Sequence, residues 1–107
     1  MAGQIKLVWT THATIKMRFY GLSEYRVKRV IDYPKRIEKG IAEETLGLMQ
    51  PAGSAKHPYE IWVMIQDEKS KDKRNRRIIS AWKYPGVTKP GEPLPKEIIS
   101  EIREAGA

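Results

Sequence analysis

THATIKMRFYGLS, residues 11–23, is a helix punctuated at both ends. Hydroxyl side chains precede it, a glycine closes it, and no proline interrupts it. At about 100° per residue, Thr14 and Arg18 define a narrow polar side, and Ala13, Ile15, Met17, Phe19 and Tyr20 sweep round the remainder. His12 and Lys16 fall one turn apart in the middle of that apolar arc. Two ionisable groups are therefore aimed at the body of the protein. Burying them unpaired is costly, so they find partners or line a cleft.

Upstream, residues 5–9 (IKLVW) are short and rich in β-formers and read as a strand, with Thr10 or Thr11 capping the helix that follows. Downstream, Ser23 caps a second helix over residues 24–32, whose apolar stripe is Val27, Val30 and Ile31. Pro34 ends it, because the residue before a proline is pushed out of helical space.

From residue 35 the period changes to two. Short strands are expected over 36–39 and 45–50, followed by the turn formers PAGSAKHP at 51–58. YEIWVMIQ, residues 59–66, is the strongest strand. Tyr59, Ile61, Val63 and Ile65 share one face, and Glu60, Trp62, Met64 and Gln66 share the other. Apolar residues on both faces mark a central strand. Residues 67–77 read as a charged loop, with six basic and three acidic side chains. RIISAWKY, residues 77–84, reads as the returning strand of an antiparallel hairpin, with Ile79 and Ala81 opposite Ile78, Ser80, Trp82 and Tyr84. A proline-rich connection (85–95) then leads to a last helix over 96–104, edged by Ile98, Ile99 and Ile102. The expected fold is one α+β domain over residues 1–107, with two N-terminal helices and a C-terminal helix packed on a small antiparallel sheet.

The totals bound the function. The 107 residues suit one core and hold no cysteine, which removes disulfides and thiolate metal sites. No apolar run is long enough for a membrane span, and the N-terminus lacks an apolar signal core, so a cytoplasmic protein is expected. Twenty Lys and Arg against 13 Asp and Glu leave +7 and a pI near 9.7, a balance that favours a polyanion such as RNA.

His12 and Lys16 are the catalytic candidates: a histidine able to accept a proton near neutral pH, with a cation beside it that favours the neutral form. The bland alternative is a His12 that hydrogen-bonds a sheet carbonyl and a Lys16 that reaches out to water. His57, in a proline-flanked turn, reads as solvated. Two histidines without nearby carboxylates at ligand spacing give no metal site, and no phosphate loop or dinucleotide fingerprint calls for a cofactor. Lys71, Lys73, Arg74, Arg76 and Arg77 form a candidate phosphate clasp. Trp82, on a face with polar Ser80, is a candidate for stacking on bases, whereas Trp62 reads as core.

His12-Ala13, Lys16-Met17, Gly21-Leu22-Ser23, a helix ending before Pro34 and the closing RIISAW strand (77–82) together resemble a short bacterial and archaeal domain family of unknown function. That family resembles the BrnT and RelE/ParE-type toxins. The resemblance covers about residues 10 to 84 and implies a RelE/BrnT-like α+β fold, a metal-independent endoribonuclease activity and a small acidic antitoxin-like partner. His12 would match the family's leading histidine, and Lys16 its helical arginine, with a point charge replacing a bidentate fork. Ser80 and Trp82 would match its closing strand. Two functions follow as expectations. One is an RNA-binding or RNA-cleaving domain in which His12 takes a proton from a ribose 2′-OH while Lys16 and Arg76 or Arg77 steady the phosphorane. The other is a non-catalytic interaction domain with a structural His12.

Overall fold

The computed structural model describes residues 5–40, 44–69 and 74–90. Their elements are β1 (Lys6–Trp9), α1 (Thr11–Tyr20), α2 (Glu24–Asp32), β2 (Arg36–Lys39), β3 (Thr45–Gly53), β4 (Pro58–Lys69) and β5 (Arg74–Pro85). No helix among the described residues is long and apolar enough to cross a membrane.

Both helices are capped by the residues their sequence supplies. Thr10 Oγ1 accepts from Ala13 N, and the same hydroxyl donates to Ile78 O at 2.7 Å, so one side chain starts α1 and ties it to β5. Gly21 closes α1 at φ 67°, a left-handed conformation that glycine takes without strain. Ser23 Oγ accepts from Arg26 N and opens α2. At the far end of α2, Gln50 Nε2 reaches out of β3 to donate to Tyr33 O and, beside the Tyr33 N–H, to Arg29 O.

The five strands form one sheet in the order β1-β5-β4-β3-β2. β2 to β5 pair antiparallel, but β1 runs parallel to β5, with Lys6 opposite Asn75 and Trp9 opposite Ile78. This corrects the expected RelE/BrnT-like arrangement of three helices on a small antiparallel sheet. The sheet is mixed, its two central strands run to 12 residues each, and the described residues contain two helices. The helix expected over 96–104 lies outside the described residues.

The sheet is longer than the periodicity suggested for two reasons. Residues 67–69 and 74–77 extend the β4–β5 hairpin instead of forming a loop, because Asp67 stands directly opposite Arg76 and the pair stabilises the ladder. Residues 51–53 extend β3, and Pro51 is tolerated there because β2 pairs with β3 only as far as Met49.

Both faces of the sheet are buried. Val27, Val30 and Ile31 of α2 and Ala13 and Met17 of α1 cover Leu48, Ile61, Val63, Ile65, Ile78 and Ala81. The opposite face packs Met49, Trp62, Met64, Ile79 and Trp82 together. Ile78 and Ile79 exchange the faces expected for them, since a bulge opposite Met64 and Ile65 leaves Ile79 unpaired. Gly47 makes room for the large ring of this second layer: a Cβ there would sit 3.3 Å from Trp62 Cζ3.

Trp62 is 0% exposed and stacks parallel to Trp82 at 6.1 Å. Trp62→Ala is expected to cost roughly 3–5 kcal/mol in urea unfolding. A variant as stable as the parent would contradict this packing.

Candidate nucleic-acid interface

His12 and Lys16 sit one turn apart on α1, both half-buried, on the same side of the buried Ala13 and Met17. His12 Nε2 is shielded from solvent, and Lys16 Nζ lies 6.0 Å from the centre of the Phe19 ring. The wide apolar arc expected of this helix is not buried as a whole: Ile15 is 58% and Phe19 77% exposed. The sheet strand that α1 packs against is β5, beyond the point where β1 stops, so only the narrow stripe of Ala13, Met17 and half-buried Tyr20 turns inward. Tyr20 touches residues of both sheet faces from this position.

The hairpin arginines are engaged. Arg76 grips Asp67 through two hydrogen bonds, Nε to Oδ1 at 2.7 Å and Nη2 to Oδ2 at 3.1 Å. The bonded Asp67 carboxylate raises the Arg76 pKa above its ordinary value; partial burial opposes this, and Asp32 at the end of α2 adds a more distant attraction. Arg77 donates to Gln66 Oε1 and lies 3.7 Å from Glu68. Successive strand residues point to opposite faces, so Arg76 lies on the helix side with Leu7 while Arg77 lies on the other. They do not converge on one phosphorane beside His12. Arg74 is exposed opposite Lys69. Lys71 and Lys73 lie outside the described residues. Trp82 is only 2% exposed, so its ring is not a surface on which a base can stack.

Two features escaped the sequence reading. The first is a buried ionic cluster on the second sheet face. Glu60, 2% exposed, accepts from Trp62 Nε1, Thr88 N and Thr88 Oγ1, and lies 3.9 Å from Arg36 Nη1. Arg36 in turn donates to Thr88 O and to Glu38, and its guanidinium lies 5.3 Å from the centre of the Trp62 ring. Residue 88 is thereby latched over the sheet. A glutamate in an otherwise apolar central strand was the available signal. The second feature is aromatic: Tyr25 on α2 and Tyr33 at its C-cap are 69% and 70% exposed. Only their place outside the Val27, Val30, Ile31 stripe distinguished them from core rings.

Among the described residues no group of three or more His, Asp or Glu side chains could hold a metal ion. No family model, curated protein or solved structure matches this chain.

The two kinds of ion pair differ in depth and should differ in worth. Arg36→Met strands a carboxylate that is almost wholly buried and is expected to cost about 3 kcal/mol. Asp67→Asn breaks a pair whose acid is 37% exposed and is expected to cost less than about 1 kcal/mol. Denaturant unfolding of both variants checks this ranking, and equal costs would refute it.

Proposed function

We propose that this protein binds RNA through the outer surface of its helical layer, with His12 in a structural role and a cytoplasmic location. The distribution of charge carries the reading. Residues 11–35 hold six basic and two acidic side chains, +4 of the chain's +7. The other concentration, residues 67–77, supplies the remaining +3; its Arg76 and Arg77 lie against Asp67 and Glu68, so its excess rests with Lys69, Lys71, Lys73 and Arg74 against Asp72. On the helices Arg18, Lys28 and Arg29 are exposed. Phosphate binding draws its free energy from counterions released as such cations meet phosphate oxygens.

Binding without cleavage is the better-supported form. A general base has to come within about 2.6–3.2 Å of the proton it removes. The shielding of His12 Nε2 and the opposite faces of Arg76 and Arg77 both weigh against that role.

The test is a salt titration of affinity for a labelled RNA. Log affinity is expected to fall linearly with log salt. Replacing Arg18, Lys28 and Arg29 with Gln should reduce the slope by about two, at roughly 0.7 per lost phosphate contact on a single strand. Arg76→Gln with Arg77→Gln should leave it nearly unchanged. An unaltered slope in the helix variant would move the interface elsewhere. Total RNA incubated with the protein should stay intact; cleavage by the parent that His12→Ala abolishes would establish the catalytic alternative.

A further inference from the structure

We infer that α2 and its C-cap carry a stacking stripe for unpaired bases, Tyr25–Arg29–Tyr33, so that the RNA taken by this surface is single-stranded. The inference rests on the RNA-binding reading above and names its substrate class.

Tyr25 and Arg29 are spaced i and i+4 on one flank of α2, away from the buried Val27, Val30 and Ile31, and Tyr33 follows as the C-cap, its N–H donating to Arg29 O. Tyr25 and Tyr33 each leave more than two thirds of their surface in water, so neither ring contributes its area to the core. The Arg29 guanidinium lies 6.0 Å from the centre of the Tyr25 ring, joining cation and ring in one surface. The stripe is about 12 Å long at 1.5 Å per residue, room for a short run of nucleotides.

It is also fixed in place. Ser23 holds the first turn of α2, and the buried Gln50 amide holds the carbonyls of both Arg29 and Tyr33 from β3. An anchored backbone limits the entropy lost on binding to that of the side chains, and every base has a face to offer the rings. Phe19 adds a further exposed ring where α1 ends, propped edge-on at 4.8 Å against half-buried Tyr20.

Partner chemistry follows from this combination. A duplex hides its base faces within its own stack, and only unpaired nucleotides can lay a base on a protein ring. Arg26, Lys28 and Arg29 on the same helix supply positive charge for the backbone, while the acid at its end, Asp32, is drawn electrostatically towards Arg76.

The test compares a labelled single-stranded oligouridylate with an RNA duplex of the same length, by fluorescence anisotropy at several salt concentrations. The parent should prefer the single strand. Tyr25→Ala and Tyr33→Ala should each weaken that binding roughly ten-fold, leaving the salt slope unchanged because no phosphate contact is lost. Tyr25→Phe should bind as the parent does, since the ring is kept, and unchanged circular dichroism will show that the variants are folded. Equal affinity for single strand and duplex, or alanine variants that bind like the parent, would overturn the stacking stripe while RNA binding itself stood. A parent that binds neither RNA would remove both.

Discussion

Burial of β4 on both faces is the constraint from which the rest of the molecule follows. Ile61, Val63 and Ile65 lie under the helices, and Trp62 and Met64 pack in the cluster on the opposite face, all at 2% exposure or less. A strand dry on both sides needs a hydrogen-bonded neighbour on each edge and cover on each face. β3 and β5 supply the edges. The outer side of β5 is shared between β1 and α1, and the Thr10 hydroxyl sits at the handover, bonded to Ile78 O and to the first turn of the helix.

Such a sheet has no room for unpaired charge, and charge is distributed accordingly. Among the described residues Glu60 is the buried ion; Trp62 and Thr88 donate to its carboxylate, and partly buried Arg36 donates to Thr88 O beside it. Outside residues 11–35 and 67–77 the basic and acidic side chains cancel, eight against eight. On the hairpin Arg76 and Arg77 are engaged in cross-strand pairs, whereas the helical layer turns exposed cations and exposed rings to solvent. An RNA-binding surface on the helices is the reading that accounts for both distributions.

Features governed by neighbouring residues were legible in the sequence. Thr10, Ser23, Gly21 and Pro34 bound the two helices within a few residues of where they act, and the observed spans match. The alternation in residues 59–66 correctly placed Ile61, Val63 and Ile65 opposite Trp62 and Met64. Features governed by distant partners were not legible. The helical wheel sent Ile15 and Phe19 inward because it records hydrophobicity and not the width of what lies beneath, here essentially one strand. The parallel pairing of β1, the bulge at Ile79 and the strand character of residues 67–69 depend on register. The same limit governed the candidate site. His12 and Lys16, expected in the middle of an inward-facing arc, are half-buried, and the partners of Arg76 and Arg77 and the burial of Trp82 become visible only once the strands are paired. Tyr25 and Tyr33 stood outside the Val27, Val30, Ile31 stripe, but their exposure depends on what packs against α2.

The central claim is that the helical layer, and not the hairpin, meets RNA. Backbone amide shifts of the ¹⁵N-labelled protein, titrated with a single-stranded oligoribonucleotide, test it most directly. The account predicts the largest changes between Arg18 and Tyr33, with the interior of β4 unmoved. Changes confined to Arg74, Asn75, Arg76 and Arg77, or none at all, would contradict it.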